Sequence, residues 1–229
     1  MKGKLIVIEG LDGSGKATQV KLLREALEKE GKRVVAFDFP QYGKPSAYFV
    51  EEYLKGTFGK AEEVGPEQAS LFYALDRFSA KKHIRDALNQ GSIVIANRYE
   101  MSNRSYQGQK FSDSKKRNEY FEWNKKIEYG MLGIPKPDIV IFLHVSPEIG
   151  QKLVGHKGER KYTEGKTHDI HEADLQLLKR TEKVYLEMAK DPEWQTISCV
   201  KNGQIMPIEE IHKKVTMIVK DFLLKSILE

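Results

Sequence analysis

Seven residues near the start of the chain have the types and spacing of a phosphate-binding loop: Gly10, Leu11, Asp12, Gly13, Ser14, Gly15 and Lys16. Residues 4–8 before them predict a buried strand, and residues 18–27 after them are apolar on one helical face. Glycines allow several backbone N–H groups to face inward, and the helix N-terminus and the lysine both add positive potential. The stretch, continued through Ala17 and Thr18, is therefore predicted to bind the phosphates of a nucleotide. A ligand-free turn that merely contains glycines is the alternative, which the flanking strand and helix disfavour.

Two positions depart from the residue types that proteins with such loops usually use to hold Mg²⁺. Ala17 follows the lysine where serine or threonine is usual, and Thr18 lies about 100° further around the helix. The third predicted strand ends at Asn97, where many enzymes with this loop have an acid. The sequence therefore identifies no protein ligand for a metal ion.

Aromatic and polar residues follow the predicted strands or lie on a long predicted helix. Phe39 and Pro40 come directly after the second strand, at the sheet edge where open α/β sheets bind ligands. Tyr73 and Arg77 are four residues apart and share a helix face. That spacing suits an aromatic ring stacked on a base beside a cation, although spacing alone favours an ordinary amphipathic helix. A polar loop after the third strand is predicted to line a pocket with Ser102, Asn103, Tyr106 and Gln107.

A basic, glycine-interrupted stretch at 155–166 has the composition of a cationic lid over transferring phosphates. The same composition fits a plain surface loop equally well. His168 and His171 lack further metal-ligand partners, so Asp169 and Glu172 are interpreted as acids at the start of a helix running to about residue 190. His144, inside the fourth strand, is predicted to be an ordinary hydrogen-bonded histidine.

The elements that position these residues alternate between strand and helix along the whole chain. Strands are predicted at the following ranges: 4–8, 33–37, 92–96, 137–145 and 195–199. Helices are predicted between and after them, at the following ranges: 18–27, 47–55, 66–90, 113–129, a short one from 147, 169–190 and 207–228. This alternation predicts an α/β fold with a parallel sheet, and no linker or repeat divides the chain, so we expect a single domain over residues 1–229.

Composition excludes several classes of protein. The chain has 229 residues, 40% of them hydrophobic and 31% charged, as expected for a globular enzyme. No apolar stretch is long enough to cross a bilayer, and the first residues enter a strand directly, so we expect no signal peptide and a cytoplasmic location. The single cysteine, Cys199, agrees with a reducing compartment. The net charge of +5 suits nucleotides, whereas no basic block or base-reading motif predicts nucleic-acid binding.

Taken together and in order, these motifs resemble the thymidylate kinase family of P-loop nucleoside monophosphate kinases over nearly the whole chain. The landmarks are 9–16, Phe39-Pro40, 73–77, 97–99 with Ser102-Asn103 and Tyr106-Gln107, the basic stretch and 169–172. The resemblance implies a P-loop kinase fold, a five-stranded parallel sheet flanked by helices with a lid at about 154–168. It also implies transfer of the ATP γ-phosphoryl to dTMP with Mg²⁺, and a homodimer.

The resemblance also implies roles for individual residues. Around the acceptor sugar and phosphate, Asp12 would meet the 3′-hydroxyl, Tyr106 would exclude a 2′-hydroxyl and Arg98 would bind the phosphate. Around the thymine, Phe39 and Pro40 would border the ring. The other site residues that the resemblance implies are Tyr73 (where the family usually has phenylalanine) stacked on the base, Arg77 and Asn103 hydrogen-bonded to it, and Asp169 and Glu172 closing over the acceptor.

The resemblance also implies which groups neutralise the negative charge of the phosphates. Lys16 would hold the ATP phosphates, and Gly13-Ser14 inside the loop marks a type that relies on lid cations, with Arg160 and either Lys157 or Lys161 as candidates. Because Ala17 lacks the usual hydroxyl and Asn97 replaces the usual acid, we expect Mg²⁺ to be held mainly by phosphates and water, with help from Asp12. A UMP/CMP-type kinase and a nucleotide-binding protein with impaired catalysis are the alternative functions.

Overall fold

The computed structural model describes residues 2–154 and 174–228. Its centre is a five-stranded parallel sheet with the strand order β2-β3-β1-β4-β5. The strands are β1 (Lys4–Glu9), β2 (Val34–Asp38), β3 (Ile93–Asn97), β4 (Ile139–His144) and β5 (Trp194–Ser198). The predicted parallel α/β sheet is thereby confirmed, with every predicted strand within two residues of its observed ends.

Eight helices are described. They are α1 (Lys16–Lys29), α2 (Tyr48–Lys55), α3 (Pro66–Asn89), α4 (Glu100–Gly108), α5 (Ser114–Lys125), α6 (Pro147–Val154), α7 (Leu175–Met188) and α8 (Ile208–Leu228). A 3₁₀ turn, Pro45–Ala47, precedes α2, and a π-helical turn, Lys126–Met131, continues α5. A small antiparallel hairpin, β6 (Val200–Lys201) and β7 (Gln204–Ile205), turns at Asn202-Gly203 as predicted.

The sheet is buried on both faces because its strands are apolar at successive positions. Leu5 and Val7 of β1 face the core formed with α3, α4, α5 and α7. Ile6 and Ile8 point to the opposite face and pack under α1 and α8. All four side chains are fully buried, so β1 is the central strand that fixes the position of the loop after it.

One predicted element is wrong. The stretch after β3 forms helix α4 rather than a polar loop, because Met101 and Ser105 pack into the core while its other side chains line a cavity. Helix α7 begins at Leu175, where the Asp174 carboxylate accepts hydrogen bonds from the N–H groups of residues 176 and 177, whereas the predicted start at Asp169 lies outside the described residues.

The prediction for His144 is confirmed. His144 lies 2.8 Å from Glu182, so it has a hydrogen-bond partner as expected. Cys199 is buried. Within the described residues, no helix combines the length and the apolar character that a membrane span needs.

Candidate active site

The glycine-rich loop has the shape that phosphate binding needs. Gly10, Gly13 and Gly15 all have positive φ angles, of 152°, 81° and 85°. A Cβ on Gly13 would lie 2.2 Å from the carbonyl oxygen of Gly150 in α6, so only glycine fits this contact. The Lys16 ammonium donates to the carbonyl oxygen of Leu11 at 2.8 Å, across the loop that it closes. The predicted strand–loop–helix arrangement is confirmed.

Arg98 joins this loop to the end of β3. Its backbone has φ 63°, in the left-handed region that non-glycine residues rarely adopt. Its guanidinium donates to the carbonyl oxygen of Gly10 at 3.1 Å, to Ser102 Oγ at 3.1 Å and to Asp12 Oδ1 at 2.6 Å. A strained backbone that places a partly buried cation beside a phosphate loop is expected where the cation has a functional task.

Asp12 and Tyr106 complete the surroundings of Arg98. The Tyr106 hydroxyl donates to Asp12 Oδ2 at 2.9 Å, and the Arg98 guanidinium lies over the Tyr106 ring at 5.3 Å. Burial alone would raise the pKa of Asp12, but the Arg98 and Lys16 cations and the two hydrogen bonds hold this pKa well below its ordinary range. Asp12 therefore stays ionised, and both of its oxygens already accept hydrogen bonds.

Glu9 is a positioning residue to which the sequence analysis gave no role. It is fully buried at the end of β1. Its Oε1 accepts from the backbone N–H groups of Tyr99 and Ser102, at 2.8 and 3.1 Å. Its Oε2 accepts from Ser102 Oγ at 2.6 Å and from the Tyr185 hydroxyl at 2.8 Å. The carboxylate thus holds the first turn of α4, and with it Arg98, against the phosphate loop.

A cleft of about 500 Å³ opens beside Arg98. Ten of the predicted acceptor-site residues line it: Asp12, Phe39, Pro40, Tyr73, Arg77, Arg98, Ser102, Asn103, Tyr106 and Gln107. Leu54 and Tyr99 complete the lining, and the sequence analysis assigned neither to the site. The structure therefore brings together residues from the phosphate loop, the end of β2, α3 and α4.

The inner wall of the cleft carries a buried ion pair. Arg77 Nε donates to Glu128 Oε2 at 2.8 Å, and a second hydrogen bond joins Arg77 Nη2 to Glu128 Oε1. Asn103 Nδ2 donates to the same Glu128 oxygen at 3.2 Å and to the carbonyl oxygen of Ser70 at 3.1 Å. Burial lowers the pKa of Arg77, but the interaction with Glu128 raises it by more. The pKa of Arg77 is therefore above its ordinary value, and the guanidinium is charged. Glu128 was not predicted, because its partner lies 51 positions away in the sequence.

Two amide side chains in the same wall have polar atoms without hydrogen-bond partners among the described residues. In the described part of the chain, Asn103 Oδ1 and both polar atoms of the Gln107 side chain are buried without a hydrogen-bond partner. Both residues line the cleft. Unpaired buried polar atoms are costly, so their presence at a cleft indicates a polar ligand with both donors and acceptors.

The outer wall is held by Asp76, which is buried on α3. Its carboxylate accepts hydrogen bonds from the Gln41 backbone N–H at 2.8 Å and from Ser46 Oγ at 2.6 Å. These bonds fix the loop after β2, which carries Phe39 and Pro40. Phe39 packs edge-on against Tyr99, with 5.8 Å between ring centroids. The aromatic border of the cleft is therefore set by packing within the protein.

The other predicted site residues either lie away from the lining of this cleft or fall outside the described residues. Ala17 and Thr18 are exposed on the first turn of α1. Arg160, Asp169 and Glu172 lie outside the described residues, as do Lys157, Lys161, His168 and His171. Asn97 is beside the cleft and donates from Nδ2 to Asp38 Oδ1 at 2.7 Å. Among the described residues, no three acidic, histidine or cysteine side chains cluster as a metal site.

The ionised Asp12 predicts a pH-dependent contribution to stability. Asp12→Asn should destabilise the protein at pH 7 by about 1.5–3 kcal/mol, the range of hydrogen bonds to charged groups. Because the folded-state pKa is depressed, the contribution is present above the ordinary aspartate pKa of about 4 and is lost as the pH falls toward the folded value. Urea midpoints at pH 7 and at lower pH would measure the gap in stability between the wild-type protein and Asp12→Asn. A gap that stays constant on acidification would contradict this assignment, and the exposed Asp221→Asn serves as the control.

Comparisons with known proteins agree with this geometry. The family model described as thymidylate kinase matches residues 8–215. The thymidylate kinase of Mycobacterium tuberculosis is 35% identical over 186 residues, covering 81% of this chain and 85% of the relative. The probable thymidylate kinase of Archaeoglobus fulgidus is 30% identical over 220 residues, covering 96% of each chain.

A solved structure agrees at the level of the fold. The thymidylate kinase of Candida albicans superposes with a TM-score of 0.72 and 24% sequence identity, over 96% of this chain and 92% of that one. The match to a P-loop kinase confirms the predicted fold. On the family model and the sequence identities together, this chain belongs to the thymidylate kinase family.

Proposed function

We propose that this protein transfers the γ-phosphoryl group of ATP to dTMP, giving dTDP and ADP for dTTP synthesis. Its family consists of ATP-dependent nucleoside monophosphate kinases. The observation that carries the proposal is the cleft in which residues of four separate segments face one another beside the phosphate loop, with Arg98 between the two.

On the donor side, we assign the ATP phosphates to residues 10–18. The loop N–H groups and the N-terminus of α1 supply positive potential, and Lys16 supplies a charge. Mg²⁺, when bound with ATP, neutralises charge on the β- and γ-phosphate oxygens. Asp12 is a weak candidate for its ligand since both carboxylate oxygens are engaged by Arg98 and Tyr106. The unpartnered Asn97 Oδ1, at the same sheet edge, is an oxygen that fits such an ion.

On the acceptor side, we assign the thymine to the inner wall of the cleft. Thymine offers an N–H donor between two carbonyl acceptors, so it complements the unpartnered Asn103 Oδ1 and the donors of Arg77 and Gln107. Tyr73 would stack on the ring, and Phe39 with Pro40 would border it. Cytosine, with an acceptor in place of that N–H, would leave Asn103 Oδ1 unpaired.

The sugar and phosphate of dTMP would lie toward the phosphate loop. We assign the 3′-hydroxyl to Asp12, the position of an absent 2′-hydroxyl to the Tyr106 ring, and the phosphate to Arg98 with Ser102 nearby. Arg98 would then bridge acceptor and γ-phosphate. Catalysis would come from positioning and charge neutralisation rather than from a strong general base.

The segment 154–168 would act as a lid over the donor phosphates, with Arg160 and either Lys157 or Lys161 supplying cations to the transition state. Asp169 and Glu172 would close over the acceptor. These assignments rest on the resemblance of their sequence motifs alone. Arg160→Ala should therefore lower kcat much more than it raises the dTMP KM, and the reverse pattern would place Arg160 at the acceptor instead.

The function is tested by measuring ADP release from MgATP with dTMP, dUMP, UMP, CMP, AMP and GMP in separate reactions. The proposal predicts strong turnover with dTMP, weaker turnover with dUMP and almost none with the others. Turnover with UMP or CMP instead would reassign the base-binding wall and leave the phosphate loop unchanged. Binding of dTMP without any product would indicate a nucleotide-binding protein with impaired catalysis.

We further propose that residues 1–229 fold as one domain and act in the cytoplasm. The continuous sheet order and the lack of any possible intrachain disulfide support these two proposals. A single cooperative urea transition with coincident fluorescence and circular dichroism signals would support one domain. Recovery of the native protein in a secreted or envelope fraction would contradict the cytoplasmic location.

A homodimer is proposed on an apolar surface of α2 and α3. Leu71, Leu75 and Phe78 follow one face of α3 and are 40–49% exposed. Phe49 on α2 is 49% exposed and stacks on Phe72 at 5.6 Å. A surface of this composition suits burial against a second copy of the chain.

Leu75→Glu is expected to convert the dimer to a monomer, because it places a charge at the centre of this surface. Analytical ultracentrifugation at micromolar concentration would measure the change from two chains to one. The exposed Met217→Glu on α8 is the matched control and should remain dimeric. A wild-type protein that sediments as a monomer at all concentrations would refute the dimer.

A further inference from the structure

Position 97 is neutral in this chain, but an acidic residue lies beside it in the adjacent strand. Asp38 is the last residue of β2, and the parallel register pairs it directly with Asn97 of β3. Asn97 in turn pairs with Ile8 of β1, two residues before the phosphate loop begins. This chain therefore has a carboxylate at the same sheet edge as the neutral Asn97, displaced from that position by one strand spacing of about 4.8 Å.

The two side chains are oriented by one hydrogen bond. Asn97 Nδ2 donates to Asp38 Oδ1 at 2.7 Å. The reverse amide orientation would place two oxygens together, so Asp38 fixes which way the amide points. The bond leaves Asp38 Oδ2 and Asn97 Oδ1 as the other two side-chain oxygens of the pair, and Asn97 Oδ1 is buried without a hydrogen-bond partner within residues 2–154 and 174–228.

Asp38 has not been neutralised by an ion pair. Among the described residues, no lysine or arginine forms a salt bridge with it, and its side chain is exposed. The carboxylate interacts electrostatically with the Arg98 and Lys16 cations, so it is within reach of the groups that bind phosphate.

We infer that Asp38 replaces the missing acid of position 97 and, with Asn97 Oδ1, forms the protein side of the Mg²⁺ site for MgATP. This inference rests on the proposed phosphoryl transfer from ATP. Mg²⁺ prefers oxygen ligands, keeps several waters and is usually held by one or two carboxylates together with substrate phosphates. An exposed carboxylate beside a buried, unpartnered amide oxygen supplies two such oxygens, and the exposure of Asp38 leaves room for the water shell.

The test is direct metal binding, measured without turnover. Free Mn²⁺ is followed by electron paramagnetic resonance during titration of the protein bound to a non-hydrolysable ATP analogue. Asp38→Asn should weaken Mn²⁺ binding about tenfold, as loss of groups around a metal does, while metal-free analogue binding does not weaken. Asp221→Asn, which removes an exposed acid from α8, should leave Mn²⁺ binding unchanged. Mn²⁺ affinity within twofold of wild type in Asp38→Asn would overturn the inference.

An exchanged pair tests the arrangement independently of the single variant. Asp38→Asn with Asn97→Asp restores one carboxylate and one amide at the same two positions, and should recover Mn²⁺ affinity to within about threefold of wild type. A double variant no better than Asp38→Asn would contradict the inference. Folding is checked by circular dichroism, and the Mn²⁺ result is independent of whether dTMP, another monophosphate or none is phosphorylated.

Discussion

Arg98→Ala is expected to lower kcat for dTMP phosphorylation by about 10³-fold, the usual effect of removing an arginine that stabilises phosphoryl transfer. Arg98 is positioned before substrate arrives, by Asp12, the Gly10 carbonyl oxygen and Ser102. Such preorganised charge does not have to reorient during the reaction, so it contributes to the transition state directly. The loss corresponds to about 4 kcal/mol of barrier.

The measurement is steady-state kinetics with dTMP and MgATP varied separately. Arg98→Lys keeps the charge and the strained backbone position but has no second nitrogen with which to bridge, so its kcat should fall about 10²-fold. Arg24→Ala, which removes an exposed arginine paired with Glu28, controls for net charge. If Arg98→Ala kept kcat within tenfold of wild type, Arg98 would have a structural task only.

Much of this site could be predicted because its signals are local. Glycines at fixed spacing between a strand and a helix predicted the phosphate loop, and strands that end at the same sheet edge predicted where the other residues would meet. Helix α4 was missed as a helix because Ser102 and Asn103 are poor helix formers. Tertiary packing overrides this propensity, since the same side chains line the cleft from a buried helix.

Glu9 and Glu128 show what a single sequence hides. Each is an acid whose task depends on partners far along the chain: Tyr185 for Glu9, and Arg77 for Glu128. Glu9 at least left a signal, because an acid at the end of an apolar strand must find partners when buried. Glu128 lies in a charged helical stretch, and nothing in its local pattern separates it from exposed acids nearby such as Glu122.

Glu128→Ala is expected to destabilise the protein by about 3–5 kcal/mol, the cost of leaving a buried charge without its partner. Arg77 and Glu128 are 2% and 0% exposed as side chains, so water cannot replace the lost carboxylate. Because domains are stable by only about 5–15 kcal/mol, this loss should be obvious in urea unfolding at pH 7. A change below about 1 kcal/mol would mean that the Arg77 charge finds another partner.

The double variant Arg77→Met/Glu128→Leu separates folding from binding. It removes both charges and keeps apolar volume, so it should be more stable than Glu128→Ala, as for other buried ion pairs replaced together. Asn103 keeps its bond to the Ser70 carbonyl oxygen in this variant. The double variant should nevertheless bind dTMP poorly, because Arg77 is gone from the wall assigned to the base.

Recovered stability with weak dTMP binding, measured by calorimetry, would identify the ion pair as the support for base recognition. Recovered stability with unchanged dTMP binding would show that Arg77 does not contact the base.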